Sequence, residues 1–421
     1  MIQGSPIMLA DRNSKPKVRP VEPVPVVMDG KQVLALKDPL QLSDRMLCVT
    51  RETLAVIAML DGRNSLLDIQ AALSAQARRI VFMDDILALV QRLDEANLLE
   101  GERFRAAYRA HVAKYRKLPC RPASHAGLSY GGSREALEEE LKAFFTGDGG
   151  PGQPDLFSED RRPLGLIAPH IDVRAGGKCF AWGYHALSSG QPSDVYVILG
   201  TGHSGVEKMF TATTLDFQTP LGIVETDREL LELLSRELGR DAAEEEILHA
   251  QEHVIEFQTI FLQYVFGRRH RFKILPVLCS LSHHMFDDPS DYPELQKQFQ
   301  EFCRALRAAC GARSQSVCFI ASADLDHIGP RYGDRFIPHP GTVQDILEKD
   351  EQMLRALEKI DVASFVRHVV RENDSRRICG FSPIITMLHC MDATEGKLLH
   401  LDLAQVDDRN SFVSFTSMIF H

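Results

Sequence analysis

Apolar and polar stretches alternate along the C-terminal two-thirds of the chain in a way that predicts successive strands and helices. Short apolar runs typical of buried strands occur at Leu164 to Ala168, Asp194 to Leu199, Phe272 to Leu278 and Ser316 to Ala321. Helices are expected after Ser133 and after Thr226, which has Glu229 three residues later. Lys397 to Gln405 and Ser411 to Ile419 are predicted to pair antiparallel. The pattern favours an α/β fold, a layered mixed sheet flanked by helices.

The first part of the chain has a different pattern. Residues 1–22 are rich in proline and are expected to be flexible. The turn Asp29-Gly30 then predicts a hairpin of two short strands between Val24 and Leu36, since this dipeptide tolerates positive φ. Helix starts follow at Thr50, at the capping-box pair Ser65 and Asp68, and at Met83. This order favours a small winged-helix module over residues 23–101, followed by a helical linker over 102–123.

Composition narrows the class of protein. The chain has 421 residues and a formal net charge of −10, which disfavours binding to nucleic acid. Its one strongly basic run, residues 267–273, is more typical of a solvated turn. The nine cysteines form no C-x-x-C pair, so reduced thiols and a cytoplasmic location are expected. No apolar run reaches the length of about 18 residues that a membrane span needs, so no membrane contact is expected.

Three predicted strands end in side chains that can carry chemistry. His170 follows the first strand, His203 follows the second, and Asp324 and His327 follow the fourth. Ligands of open α/β sheets gather beyond the carboxyl ends of the strands, so these side chains are expected to meet there. One such histidine alone is more often a simple loop residue. Three repetitions of the same pattern favour a shared site.

An ordered set of short motifs makes the prediction more specific. The motifs are S-H-A-G at 124–127, I-A-P-H at 167–170, L-G-T-G-H at 199–203, E-H-V-I-E at 252–256, S-A-D-L-D-H at 322–327 and I-C-G-F-S-P at 378–383. Over residues 124–421 this set resembles the Memo-like family, in the branch called AmmeMemoRadiSam system protein B. The resemblance implies a fold like that of class III extradiol dioxygenases. It also implies metal ligands at His170, His203 and Cys379, with Asp324 and His327 lining the same pocket.

The residue types support a metal at this position. Imidazole suits iron, copper or zinc, and a thiolate disfavours magnesium and calcium, so Fe(II) is the first expectation and copper the second. Extradiol enzymes use a carboxylate where Cys379 is implied, so their ring-cleaving reaction is not transferred to this chain. Without the resemblance, Cys379 is as easily interpreted as a buried thiol. His327 is the candidate acid and base, with Asp324 or Asp326 orienting its ring.

Other residues are expected to support the site. His253 and Glu256 lie three residues apart on a predicted helix that begins near Glu252, so they share a face. A solvated helix face explains this spacing equally well. Asp172 stands where relatives commonly have a small residue, and we expect it to reshape the site. This difference puts in doubt that the substrate of relatives is also the substrate of this chain.

These features favour a metal-dependent redox enzyme of dioxygenase ancestry whose substrate the sequence does not identify. The family resemblance implies a radical-SAM protein as partner. Residues 90–100 resemble the last helix of PqqD-like modules, so a peptide or protein is expected to dock on the N-terminal part. The alternative is a non-catalytic adaptor that binds a peptide or protein through the same pocket.

Overall fold

The computed structural model describes residues 11–421 except Asp29, Pro39, Gln41, Asp44 and Arg45. Its chain forms two compact units, Met1–Lys117 and Leu118–His421. Residues 1–10 of the segment predicted to be flexible, and Asp29 of the predicted turn, lie outside the described residues.

The N-terminal unit contains a three-stranded antiparallel sheet, in the order β1-β2-β3, and four helices in its described part. Its elements are β1 (Glu22–Met28), β2 (Lys31–Lys37), β3 (Leu47–Val49), α1 (Arg51–Ala58), α2 (Leu66–Ala77), α3 (Met83–Glu95) and α4 (Glu102–Tyr115). The predicted strand pair is confirmed, as are the cap at Thr50 and the capping box of Ser65 and Asp68. The third helix begins at Met83 as predicted and ends at Glu95, and Asn97 just beyond it adopts a left-handed φ of 56°.

Residues 14–19 pack against the rest of this small unit. Val18 donates a backbone hydrogen bond to Leu60 and forms a β-bridge with Leu99. The buried guanidinium of Arg19 lies 2.9 Å from the buried carboxylate of Asp38. This part of the proline-rich start is therefore anchored on the unit's core.

The C-terminal unit alternates strands and helices, as the sequence predicts. Its strands are β4 (Gly165–Ala168), β5 (Val195–Thr201), β6 (Phe210–Ala212), β7 (Phe217–Thr219), β8 (Gly222–Val224), β9 (Lys273–Cys279), β10 (Val317–Ser322), β11 (Asp324–Ile328), β12 (Gly396–Gln405) and β13 (Phe412–Phe420). Its helices are α5 (Arg134–Thr146), α6 (Val173–Ser189), α7 (Arg228–Leu238), α8 (Val254–Phe266), α9 (His284–Asp287), α10 (Pro293–Gly311), α11 (Pro340–Glu358), α12 (Val362–Val370) and α13 (Phe381–Cys390).

Eight of these strands form one mixed sheet, in the order β11-β13-β4-β10-β5-β9-β6, with β12 paired to β13. The four central strands β4, β10, β5 and β9 are parallel, whereas β6 and β13 run antiparallel to their neighbours. The predicted antiparallel pairing of the last two strands is confirmed. Since β4 and β5 flank β10, the carboxyl ends of these three strands lie side by side at one edge.

Helices cover both faces of this sheet. Along β5, Val195, Val197 and Leu199 enter one apolar core, and Tyr196 and Ile198 enter the other. Helices α7 and α10 to α13 contribute to the first core, and α5, α6 and α8 contribute to the second. Strands buried on both faces are uniformly apolar, which explains the short apolar runs in the sequence. The α/β fold with flanking helices is thus confirmed.

Some local predictions need correction. The cap of α7 is Asp227, which accepts a hydrogen bond from the backbone of Leu230, whereas the Thr226 hydroxyl bonds to the Leu215 carbonyl. Asp324 and His327 lie on strand β11 and not in a loop, because β13 offers an irregular antiparallel partner. All nine cysteines are free. None of the described helices combines the length and apolar character needed to cross a membrane.

Candidate metal centre

Three side chains from distant parts of the chain converge at the carboxyl edge of the sheet. His170 follows β4, His203 follows β5, and Cys379 lies in the loop that precedes α13. One ligand atom from each of these residues lies within 4.8 Å of the other two. The parallel pairing of β4 and β5 with β10 places the histidines, and the start of α13 brings the sulfur to them.

His170 is oriented for coordination by a hydrogen bond on the far side of its ring. Its Nδ1 lies 2.9 Å from the Ser322 carbonyl, and its Nε2 lies 3.0 Å from the Cys379 sulfur. A hydrogen bond from Nδ1 to a carbonyl leaves the lone pair of Nε2 facing the site. Burial, together with the imidazole of His203, holds the pKa of His170 well below its usual value. The ring is therefore neutral, the form that binds a metal.

Glu252 performs the corresponding role for His203. Its Oε1 lies 3.1 Å from Nδ1 of His203 and 3.1 Å from Nδ1 of His253, and the two rings stack with centroids 5.1 Å apart. Burial lowers the pKa of His203, but the hydrogen bond and the charge of Glu252 outweigh it, so the net shift is upward. Protons consequently compete with a cation for His203 more strongly than for His170.

Cys379 is held close to β11 by the residue that follows it. Gly380 donates a backbone hydrogen bond of 2.9 Å to Asp324, and a Cβ at Gly380 would lie 2.5 Å from the same carbonyl oxygen. Burial raises the pKa of the Cys379 thiol well above its usual value, and the charge of Asp324 adds to the shift. A cation bound to the sulfur reverses this preference, because metal coordination deprotonates a thiol.

Asp324 and His327 lie beside this trio, and they form a second close group with Cys379. Asp324 accepts a hydrogen bond of 2.9 Å from the His170 backbone, and its other oxygen lies 3.7 Å from His170 Nε2. Burial raises the pKa of Asp324. Burial also lowers the pKa of His327, although Asp324 opposes that shift. The Nδ1 of His327 lies 3.0 Å from the Leu325 carbonyl.

Two arginines anchor the loop that carries Cys379. Arg376 is buried and contacts Asp326 at 3.1 Å, Asp350 at 3.0 Å and Glu372 at 3.0 Å. Its carbonyl accepts a hydrogen bond from the His327 backbone. In a separate contact, Arg377 pairs with Asp334 at 2.7 Å. Asp326 is therefore engaged by Arg376, which leaves Asp324 as the carboxylate beside His327.

Two other predicted supporting residues serve as structural anchors. The buried carboxylate of Glu256 contacts Arg121, Ser124 and Tyr130, and it thereby ties the start of the C-terminal unit to α8. Asp172 is exposed, and its carboxylate caps α6 by accepting a hydrogen bond from Arg174.

The sequence indicates Glu252 only by its helical spacing from Glu256, as one more residue of a face that could support the pocket. Sequence reasoning missed Arg121, which is completely buried and donates a hydrogen bond of 2.7 Å to the Glu252 carbonyl and one of 2.9 Å to the His249 carbonyl. It fixes the turn that presents Glu252 and His253.

A cleft of about 300 Å³ lies beside the loop that carries Cys379. Its lining includes Thr201, His283, Arg377 and Phe381, but neither His170 nor His203. The Thr201 hydroxyl donates a hydrogen bond of 2.8 Å to the Cys379 carbonyl. The His203 side chain is 41% exposed. The His203 side chain is thus the ligand most open to solvent.

The fold and the donor set define an α/β protein with a candidate metal centre of two histidines and one cysteine. Comparison with known proteins identifies the family, since a family model described as Memo-like protein matches residues 121–419. The chain therefore belongs to the Memo-like family, which confirms the resemblance found in the sequence motifs.

Similar proteins cover different shares of the chain. A MEMO1 family protein of Aquifex aeolicus is 28% identical over 410 residues, which cover 97% of this chain and 100% of the relative. A MEMO1 family protein of Methanosarcina barkeri is 30% identical over 299 residues, covering 70% of this chain and 97% of the relative. One of Thermotoga neapolitana is 32% identical over 269 residues, 63% of this chain and 86% of the relative. The family model does not extend to the N-terminal unit, where the winged-helix and PqqD-like assignments stay predictions.

Proposed function

We propose that this chain is a metal-dependent redox enzyme that holds Fe(II), or alternatively copper, on His170, His203 and Cys379. The observation that carries the proposal is the convergence of two imidazole nitrogens and one sulfur within 4.8 Å. Ser322 and Glu252 already hold the opposite ring nitrogens, which is the usual support of metal-binding histidines. Two imidazoles with a thiolate suit a transition metal and disfavour magnesium or calcium.

Residues of the chain supply the proton chemistry of this proposal. An iron or copper ion would supply one-electron redox chemistry when bound. His327 accepts or donates a proton, because burial keeps the ring neutral in its resting form. Asp324, whose pKa is raised by burial, is a second group beside the site that can exchange a proton. The cleft beside Cys379 admits the substrate.

Metal-dependent oxygen uptake tests this proposal. The protein is purified without oxygen, loaded with Fe(II), and followed with an oxygen electrode in the presence of ascorbate as electron donor. We expect uptake above that of free iron, and we expect Cys379→Ser to lose it. Cys310→Ser is the matched control, since Cys310 is also a half-buried free thiol but lies on α10. Bound iron without any uptake would contradict the redox role and favour the adaptor.

We also propose a cytoplasmic location for this chain and a radical-SAM protein as its partner. The N-terminal unit is proposed to present a peptide or protein as the substrate. The free cysteines support the location, and the family resemblance supports the radical-SAM partner. Co-expression with a candidate radical-SAM protein of the same organism, followed by affinity purification, tests the partnership. Co-purification that is lost on deletion of residues 1–117 is the expected result. Absence of a complex would contradict it.

A further inference from the structure

A large basic cleft lies at the other end of the same sheet. It has a volume of about 970 Å³ and lies between the start of β9, helix α5 and the turn after α8. Asp194 and Lys273 line it from just before β5 and at the start of β9. Each of these strands has seven residues, so the cleft is roughly 20 Å from the candidate metal centre along the strands. The cleft and the metal centre are separate sites.

The side chains that line this cleft are mainly cationic, although the chain as a whole is anionic. Six of its lining side chains are lysine or arginine and three are carboxylates, whereas the whole chain carries −10. The cations are Arg134, Lys142, Arg268, Arg269, Arg271 and Lys273. They come from α5, from the turn after α8 and from β9. The basic run in the sequence, which alone favours a solvated turn, is therefore one wall of a larger basic surface.

Most of this positive charge is not neutralised within the chain. Glu138 pairs with Arg134 at 3.3 Å and with Arg268 at 3.0 Å. Asp194 is engaged by Ser316, whose backbone and hydroxyl each lie 2.8 Å from its carboxylate. Among the residues that the structure describes, no carboxylate pairs with the other four cations, Lys142, Arg269, Arg271 and Lys273. These four groups are free to meet an anionic ligand.

We propose that this cleft docks an acidic segment of a partner protein in an extended form. A pocket for a small molecule is typically closed and mostly apolar, whereas Arg268, Arg269 and Arg271 of this cleft are exposed. The same surface offers an apolar contact, since Ile223 is 60% exposed. Unpaired cations beside an exposed apolar side chain complement a peptide that contains both acidic and apolar residues. The inference does not depend on the metal centre.

Fluorescence anisotropy of a labelled peptide of glutamates and leucines, added to the full chain at low salt, tests the proposal. We expect saturable binding that weakens as salt rises towards about 0.15 M. The double variant Arg269→Glu with Arg271→Glu should bind at least about ten-fold more weakly. The double variant Lys297→Glu with Arg304→Glu is the matched control, because both residues are exposed on α10 outside the cleft. It should change the affinity by less than about two-fold.

Three results would overturn the proposal. The first is no saturable binding of the peptide at low salt, and the second is equal weakening in both double variants. The third is a pair of observations. A peptide with serine in place of leucine binds as well as the original, and tripolyphosphate competes for the cleft as strongly as the peptide does. That result would show a surface that attracts any anion. Thermal unfolding of each double variant establishes that it is folded before its binding is compared.

Discussion

Glu252 links the imidazole of His203, a candidate ligand, to the imidazole of His253 through a single carboxylate. It accepts from the His203 backbone at 3.0 Å and lies 3.1 Å from both Nδ1 atoms. Burial raises the pKa of Glu252, but the hydrogen bonds from His203 and His253 outweigh burial and hold the pKa well below its usual value. The carboxylate is therefore charged, and it fixes the His203 ring with Nε2 directed into the site.

Replacing Glu252 tests this orientation. Glu252→Gln keeps the shape of the side chain but removes its charge, so the His203 ring loses its charged hydrogen-bond acceptor. We expect the affinity for a transition metal to fall by about 10- to 100-fold while the protein stays folded. A competition titration with a coloured chelator measures it. Glu244→Gln, at an exposed position, is the control. Equal affinities of the two variants would contradict this role.

At the scale of elements, the site depends on how closely the start of α13 approaches β11. A Cβ at Gly380 would lie 2.5 Å from the Asp324 carbonyl and 2.6 Å from Ala323 Cβ. Gly380→Ala should therefore push Cys379 away from the histidines, weaken metal binding and destabilise the fold by about 1 to 3 kcal/mol. Metal titration and chemical denaturation check this expectation.

Gly311→Ala provides the matched control, because no atom lies within 4 Å of its added Cβ. This variant is expected to keep full metal affinity and to change stability by less than about 1 kcal/mol. If Gly380→Ala behaved in the same way, the close packing of the Cys379 loop on β11 would be refuted.

The carboxylates around Arg376 predict a pH dependence of stability. Burial raises the pKa of Asp326 to about 9, the charge of Asp350 adds to the shift, and Arg376 opposes it. In the unfolded chain the pKa of an Asp is about 3.9. Between this pKa and that of folded Asp326, the folded state binds one proton that the unfolded state does not. Stability should then fall as pH rises from about 4 to about 9, by at most about 1.4 kcal/mol per pH unit for this proton.

Asp326→Asn tests the sign of this dependence. The amide cannot titrate, so the free energy of unfolding should vary less with pH than in the parent protein. Urea denaturation at about pH 5 and at about pH 8 measures how much the free energy of unfolding changes with pH in each protein. An unchanged slope in the variant would contradict protonation of Asp326 in the folded state.

At the scale of the whole molecule, the C-terminal unit is expected to fold alone when Arg121 is included. A chain of residues 118–421 should be folded and bind metal, since it forms a compact unit and the family model matches residues 121–419 within it. A chain of residues 124–421 lacks Arg121, the buried partner of Glu256. Loss of one partner of a buried ion pair costs about 3–5 kcal/mol, so this shorter chain should melt at a lower temperature. Equal melting temperatures would contradict the prediction.

The sequence predicts the central sheet and two of the three candidate ligands well, because both depend on local pattern. Apolar runs that end in Pro169-His170 or in a glycine-rich turn before His203 indicate buried parallel strands and their carboxyl ends. Cys379 carries no such signal, and only the family resemblance indicates it. Its place beside the histidines results from packing between α13 and β11, which are remote from β4 and β5 in the sequence.

Other features depend on contacts that no local pattern reveals. Glu252 and Glu256 share a helical spacing, yet one contacts the histidines and the other contacts Arg121. Arg121 lies between prolines in a segment interpreted as a linker, although tertiary contacts bury it completely. Strand β11 contains Asp324 and Asp326, residues that are rare in strands, and it forms because β13 pairs with it.

The metal content of protein purified without oxygen tests the central claim most directly. Elemental analysis should find about one transition-metal ion per chain in the parent protein and in the control Cys310→Ser. It should find little metal in His170→Ala, in His203→Ala and in Cys379→Ser, each of which should remain folded by circular dichroism. Full metal content in all three ligand variants, or none in the parent protein after loading with Fe(II) or copper, would contradict a metal centre at these residues.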